Sequence, residues 1–570
     1  RSMPPAFAPL ARLSACWPYL LLALLAAAAC APLLWYGAPN GHSIEYNLVW
    51  LKGFAEQLAQ GDLYPRWLMN MNSGAGSPVF YFYAPLPFYI LSVPTLLCST
   101  CKLTVQLGIG EWLMIAMSGM SFYYFARHQF SRCSALISAS FYMLLPYHFE
   151  IDLWQRQDIG ELSNYIWMPL ALYFTERLIA GKNAIAGLAI VYALMLLSHL
   201  PSALLFSIAL GFYLLALAWR RHHWRFILHF AAAIALGLLL AGIYWVPALF
   251  SEQYIRTDQL WSAVFDFHRW FFPLHGESLD PGEDDTFALR LFAMISLTSA
   301  MFILCWLNAY RWRHVLDRSA LFACLIIAAI AWFLMSPYSR LVWENAPELW
   351  KVQFPWRIAM VLDLACAVAL LHSWHVLEQY RDRFTALTLS VVLGLLLYSW
   401  LSADVWHELD PFDSPDWVSS RDQSVQEGVD APEYSTAWDP SDPEDENNPL
   451  LNIGPLSYDA SAGAVTVSQW APRQIMLRVD LQRATPLRIR QYYFPNWQVE
   501  SSVSGPLAVQ ADLATGLLSV SAPAGQYDLQ LRLRPLQQEL IGAALSLVGM
   551  LMLLVYGGYQ RRARRTASAP

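Results

Sequence analysis

WPYLLLALLAAAACAPLLW, the run Trp17–Trp35, decides the fold class of this chain. It holds no charged residue over about the 20-residue length that a helix needs to cross a bilayer. Arg1 and Arg12 precede it and no small-residue cleavage site clearly follows, so it reads as a retained first span rather than a removed leader. What comes next is too elaborate for a connector. Gly41–Tyr89 reads GHSIEYNLVWLKGFAEQLAQGDLYPRWLMNMNSGAGSPVFYFYAPLPFY. It sets His42, Glu45, Lys52, Asp62 and Arg66, with a dense aromatic–proline run, where the chain has just left the membrane.

Working outward, the 570 residues are 56% hydrophobic and only 14% charged, whereas a soluble domain carries about a quarter charged residues. The apolar residues fall in blocks, which predicts spans at about 17–36, 105–126, 133–149, 166–180, 184–199, 201–219, 227–247, 287–307, 319–335, 357–375, 385–402 and 540–558. Alternate connections are basic: Arg127–Arg132, Arg177–Lys182, Arg220–Arg225, Arg311–Arg318, Arg381–Arg383 and Arg561–Arg565. The excess of Lys and Arg on cytoplasmic loops places all of these, and both termini, inside. Residues 79–98 are apolar but interrupted by Pro85, Pro87 and Pro94. They read as re-entrant or as lying along the outer interface. The outer segments are then 37–104, 150–165, the Ser198–Pro201 hairpin, 248–286, 336–356 and 403–539. The net charge of −7 says little, because the charges are segregated along the chain, but there is no basic stripe suited to nucleic acid.

The expected fold class is therefore mainly α: a polytopic transmembrane helical bundle of about 12 spans with a small β-sandwich before the last span. Residues 1–402 form the membrane module. Residues 403–452 form an acidic linker, with fourteen Asp/Glu against Arg421 up to residue 450. At 453–537, short alternating segments such as QIMLRVDL and YDLQLRLRP predict a β-sandwich on the outer side, and 540–558 is the final span. The eight cysteines imply no disulfide framework, and Cys98-Ser-Thr-Cys101 has redox-motif spacing without a thioredoxin-like context.

Candidate chemistry gathers on the outer loops. Residues 44–60 have helical amphipathic spacing and are expected to lie on the membrane surface, with His42 and Glu45 projecting together at the start. The second loop, YHFEIDLWQRQDIGELSNY, brings Glu150, Asp152, Arg156, Asp158 and Glu161 together, and Asp152 and Arg156 pair at i,i+4 on a helical turn. Carboxylates converging from two loops serve as a base or as metal ligands; a solvated ion-paired loop is the plainer alternative. His199 sits at a membrane boundary, where packing competes with function. In SPYSRLVWENAPELWKVQFPWR, Arg340, Lys351 and Arg357 stand among Trp343, Trp350 and Trp356; cations at headgroup level bind a lipid phosphate or simply snorkel. No GxxxxGK[ST], HExxH, GxSxG or Rossmann glycine pattern is present.

These residues carry a family resemblance. The GHSIEYNLVW…YPRW loop, PYHFEIDLWQRQDIGE, SHLP, YWVPALFSE, the QFPWR segment, the PEY at 432–434 and the YYFPNWQV module look like bacterial membrane proteins labelled 6-pyruvoyl-tetrahydropterin synthase-related. That label implies pterin chemistry, yet the chain shows no sign of the soluble synthase or its metal-binding histidines. The architecture resembles the GT-C glycosyltransferase superfamily, in which a polyprenyl-phosphate sugar is the donor and acidic residues sit on the first two outer loops. Carried over by position, Glu45 and Asp152 match the two acidic sites. Relatives commonly have Asp after Gly-His where this chain has Ser43, so either Glu45 fills that role or the first-loop base is missing.

The resemblance implies a multi-pass protein of the bacterial inner membrane that glycosylates an envelope glycan, lipid or protein acceptor on the periplasmic face. The catalytic candidates are Glu45, Asp152 and His42. The substrate-binding candidates are Arg357, Lys351, Arg340, Arg66, Arg156, Glu161 and His199. A divalent metal (Mg or Mn) held by Glu45 and Asp152 is allowed but not required. The alternative is a non-enzymatic protein that binds or translocates lipid-linked glycans.

Overall fold

Long apolar runs wind into helices because, away from water, only intrahelical hydrogen bonds satisfy the backbone. The computed structural model describes residues 8–98, 100–221, 224–257, 265–272, 285–402, 423–440 and 453–567. Most of the acidic linker (403–422 and 441–452) and much of the 248–286 loop lie outside the described residues, as do the side chains of Arg561–Arg565.

The opening run gives α1 (Ala8–Ala29) and α2 (Ala31–Tyr36), broken where Pro32 has no N–H to continue the helix. The first loop, expected outside, folds as α3 (Ile44–Ala59), a turn α4 (Met71–Gly74), α5 (Val79–Phe82) and α6 (Leu86–Leu97). Then follow α7 (Leu103–Ala126) and α8 (Arg132–Leu144), a π-helical stretch Tyr147–Arg156, α9 (Ile159–Ile179), α10 (Ile185–Ser198), α11 (Leu200–Arg221), α12 (Phe226–Leu240) and α13 (Gly242–Phe250). The bundle is completed by α14 (Asp285–Arg311), α15 (Arg318–Met335), α16 (Arg340–Asn345), α17 (Pro347–Trp350), α18 (Ala359–Tyr380) and α19 (Arg383–Ser402), and at the end of the chain by α20 (Gln537–Ala567).

Six of the described helices are long and apolar enough to cross a membrane, or seven if α12 and α13, bent by 73° at their junction, count as one. The helix ending at Tyr380 is the hub, 83% buried against α8, α14 and α15, while α20 runs along the edge, 17% buried. α6 has 12 residues, a rise of about 18 Å, which is short of the roughly 30 Å hydrocarbon layer.

The amphipathic helix α3 does not leave its apolar stripe for the bilayer, as its spacing suggested. Its apolar face (Ile44, Leu48, Leu51, Phe54) is buried against α6 and α7 instead. Those neighbours cover the stripe that would otherwise have needed lipid. A second departure is a disulfide joining Cys98 to Cys101 between α6 and α7. Their nearness in the turn, rather than a redox domain, brings the two sulfurs together.

The C-terminal strands form two antiparallel sheets, ordered β1-β4-β8-β7 and β2-β3-β9-β5-β6. The ranges are β1 (Leu456–Ser457), β2 (Gly463–Ala471), β3 (Gln474–Leu481), β4 (Thr485–Tyr492), β5 (Trp497–Ser501), β6 (Gly505–Leu507), β7 (Val509–Ala511), β8 (Leu517–Ala522) and β9 (Gly525–Leu533). Alternate residues such as Ile475, Leu477 and Val479 on β3 and Leu529, Leu531 and Leu533 on β9 point inward and share one core with Leu487, Ile489 and Val520 of the other sheet. That core continues into the first outer loop through Trp67 and Tyr81, which pack on Phe494. Gln491 ties the joint, accepting from Trp67 Nε1 at 2.8 Å and donating to the Met69 and Gly74 carbonyls at 2.9 and 2.7 Å.

Candidate functional site

The two loops that the sequence reading puts first on the outside meet backbone to backbone. His42 N–H and Ser43 N–H donate to the Gln155 and Arg156 carbonyls at 3.1 Å each, and Asn47 Nδ2 donates to the Gln157 carbonyl at 2.7 Å. Gly41 is required at this crossing: a Cβ there would lie 2.3 Å from Gln157 Cγ. Gln157 itself, between Arg156 and Asp158, takes the left-handed conformation at φ 55, and across the cavity Gln353 does the same at φ 68. Non-glycine residues held there store strain of about 1–3 kcal/mol each, and such residues cluster at functional sites.

Between these segments lies a cavity of about 600 Å³. α3 and the turn before it contribute His42, Ser43, Tyr46, Asn47 and Trp50; the second loop gives Arg156 and Asp158; the hairpin gives His199. Lys351, Gln353, Phe354, Trp356 and Arg357 come from the segment before α18, and Pro432, Glu433 and Tyr434 from the described part of the linker.

One side of the cavity rests on a buried charge cluster. Arg156 Nη1 reaches Asp152 at 2.6 Å and Glu161 at 3.0 Å, and its Nη2 contacts Asp158. Arg357 adds contacts to Asp158 at 3.5 Å and Glu161 at 3.9 Å. Trp356 lies under the Arg156 guanidinium at 4.8 Å. Burial by itself would raise Asp158, but Arg156, His199, Arg357 and the Glu161 N–H outweigh it and hold its carboxyl well below the usual range. Burial dominates at Asp152 and Glu161 and pushes both up. Two guanidinium groups thus face three carboxylates.

Of the residues proposed from sequence, His42, Arg156, His199, Lys351 and Arg357 line this cavity. Lys351 is bound to Glu252 at 2.9 Å, which raises its pKa against the effect of burial. His199 Nδ1 shares a hydrogen bond with Ser202 at 2.6 Å.

The remaining candidates sit elsewhere. Asp152 and Glu161 are fully buried behind the wall and bonded to Arg156. Glu45 is not a lining residue, because the stripe Ser43–Tyr46–Asn47–Trp50 faces the cavity while Glu45 shares its helical phase with Val49, Lys52 and Glu56, the last three lining a separate cleft. Arg66 is buried at the joint with the last helix, paired with Glu539 at 3.1 Å and donating to the Ile243 carbonyl at 2.7 Å. Arg340 is exposed and paired with Glu344 at 2.6 Å.

Glu45 and Asp152 therefore do not form the metal pair that the sequence allowed. Among the described residues the ligand-type groups that converge are Asp158, Glu161 and His199, within 4.8 Å of one another. Arg156 and Arg357 already engage those carboxylates, so this donor set does not fit a resident divalent cation.

Sequence reasoning missed Asp158 as a cavity residue, along with Glu433 and the tyrosines Tyr46, Tyr83 and Tyr434. The PEY motif was the available signal.

Fold and site together define a helical membrane protein with a mixed-charge, aromatic-walled cavity beside a docked β-domain. The chain belongs to the family described as "6-pyruvoyl-tetrahydropterin synthase related domain; membrane protein", whose profile matches residues 80–406. Among solved structures it is similar to the arabinofuranosyltransferase AftD from Mycobacteria, at 16% identity and a TM-score of 0.41. That alignment covers 67% of this chain but only 26% of AftD. It is also similar to ArnT from Cupriavidus metallidurans, solved with undecaprenyl phosphate bound, at 14% identity and a TM-score of 0.30, covering 63% of this chain and 77% of that one. No curated protein matches the sequence.

Proposed function

We propose that this protein is a glycosyltransferase of the bacterial inner membrane, taking a sugar from a polyprenyl-phosphate donor and placing it on an envelope acceptor at the periplasmic face. The observation that carries the reading is the composition of the cavity: cations (Arg357, Lys351), carboxylates (Asp158, Glu433) and aromatic walls (Trp50, Tyr83, Trp270, Phe354, Trp356, Tyr434) share about 600 Å³. A lipid-phosphate sugar asks for this set. Cations bind the phosphodiester and stabilise it as it departs, flat apolar walls hold the sugar and the start of the isoprenoid, and a carboxylate takes the acceptor's proton. The volume suits one sugar phosphate with an acceptor group. The GT-C resemblance of the loop motifs agrees with this reading.

About twelve spans, both termini in the cytoplasm and the β-domain outside belong to the same proposal. α7 and α9 fall short in mean hydropathy because they carry buried Glu111, Ser118 and Ser121, and Glu161, Asn164 and Thr175. Polar groups facing the bundle interior do not bar a helix from the membrane.

In the reaction the acceptor hydroxyl attacks the anomeric carbon while the sugar–phosphate bond breaks, and Arg357 with Lys351 holds the leaving polyprenyl phosphate. The test uses full-length protein in nanodiscs with a panel of polyprenyl-phosphoryl hexoses and pentoses, following release of polyprenyl phosphate. The wild type should consume at least one donor, and Arg357→Gln should lower turnover 10- to 100-fold. Lipid binding without turnover of any donor would contradict the proposal in favour of a binding or translocating protein.

A further inference from the structure

We propose that Glu433, delivered from the linker, is the proton acceptor of this transfer, an inference that rests on the transferase reading above. The geometry of its segment comes first. Residues 428–437 cross the first outer loop as a strap pinned at both ends. On one side Asn72 N–H donates to the Gly428 carbonyl at 2.7 Å, and the buried Asp430 carboxylate accepts from Trp50 Nε1 at 2.8 Å and from Ser77 Oγ. On the other, Arg256 N–H donates to the Ser435 carbonyl and Ala437 N–H to the Tyr254 carbonyl, each at 3.0 Å. Between the pins the single turn Pro432–Tyr434 places Glu433 and Tyr434 in the cavity wall.

The second argument concerns which carboxylates are free to act. Asp158 and Glu433 are the carboxylates lining the cavity among the described residues. Asp158 is committed: it binds Arg156 and Arg357 and caps α9 by accepting from the Glu161 N–H at 2.9 Å. A carboxylate held that far below its usual range is a poor base. Glu433 is in no ion pair among the described residues, and the hydrogen bond to its carboxylate comes from its own backbone N–H. The titratable and charged groups around it are Asp430 on its own strap, Tyr46 of α3, Tyr83 and Tyr434, with Arg156, Asp158, His199, Lys351, Arg357 and His42 on the other walls. Burial, with a smaller contribution from Asp430, pushes Glu433 up to about 7, close to the working pH at which a general base is most effective.

The step balances. The acceptor oxygen forms a bond to the anomeric carbon, and the bond from that carbon to the phosphate oxygen breaks. Its electron pair leaves on the polyprenyl phosphate, and the hydroxyl proton passes to the Glu433 carboxylate and later to water.

The experiment compares wild type, Glu433→Gln and Arg357→Gln as full-length chains in nanodiscs, using the donor that the wild type consumes and undecaprenyl phosphate as the binding probe. Glu433→Gln should lower kcat by about 100-fold or more. Its Kd for undecaprenyl phosphate should stay within threefold, and wild-type kcat should rise as pH passes through about 7. Arg357→Gln should weaken binding of the probe. If Glu433→Gln keeps kcat within threefold while Arg357→Gln loses turnover, the transferase reading stands and this assignment is overturned. Loss of kcat only in step with lost lipid binding would overturn it too, making Glu433 a structural residue. If the wild type consumes no donor, the transferase reading itself fails and takes this inference with it.

Discussion

Asp158→Asn and Asp152→Asn neutralise neighbouring acids of one buried cluster, yet they should differ sharply in cost. Two guanidinium groups, Arg156 and Arg357, balance two of the three carboxylates, so one acid in the cluster keeps its proton. Asp158 is one of the two charged members, in contact with both arginines, and the one whose carboxyl is held below the usual range. Replacing it leaves buried cationic charge uncompensated, a loss of roughly 3–5 kcal/mol for a broken buried pair. The cap on α9 survives, since Asn also accepts there. Asp152 is fully buried, and burial pushes its carboxyl up, which favours the protonated form. Asn is nearly isosteric with that form and keeps the acceptor for Arg156 at 2.6 Å, so its cost should be about 0–1 kcal/mol. Thermal unfolding of both variants in nanodiscs at pH 7, followed by tryptophan fluorescence, decides between them. If Asp152→Asn melts as low as Asp158→Asn, the charge assignment is wrong.

Three further outcomes follow from the same contacts. Burial holds Asp430 at about 6, above its unfolded value of about 3.9, so its stabilising proton is fully present below pH 4 and is lost as pH rises to about 6. That amounts to about 3 kcal/mol across the window, and Asp430→Asn should flatten the corresponding fall in melting temperature between pH 4 and 6. Gln491→Ala strips Trp67 Nε1, Met69 O and Gly74 O of their partners at about 1–3 kcal/mol each. Hydrogen exchange should then quicken around residues 67–76 while β3 and β9 stay protected; unchanged exchange would refute the docking role. Gly41→Ala drives a Cβ to 2.3 Å from Gln157 Cγ and should lower the melting temperature through about 1–3 kcal/mol of overpacking, which an unshifted melt would contradict.

The bundle was legible because apolar runs and basic connections are local signals. So was the Asp152–Arg156 pair, since both partners lie on one helical turn. The cavity was half legible: SHLP, QDIGE and QFPWR stand at the ends of apolar runs, where charge has to be explained. Glu45 misled because its charge was read without the phase of α3, in which Ser43, Tyr46, Asn47 and Trp50 form the stripe that faces the cavity. Arg66 looked free for a phosphate because its partner, Glu539, lies far along the chain, at the start of the last helix. Glu433 was hidden among the acidic residues of the linker. What singles it out is the anchoring of Asp430 to Trp50 and Ser77, a pairing that no local pattern announces.

The central claim is that the cavity receives a lipid phosphate, and the most direct measurement is a cryo-EM structure of the full-length chain in nanodiscs with undecaprenyl phosphate. The phosphate should be found hydrogen-bonded to Arg357, with the first isoprene units against the aromatic walls formed by Trp50, Phe354 and Trp356. A phosphate seated on the β-domain or at the headgroup belt, with nothing bound in the cavity, would contradict the account.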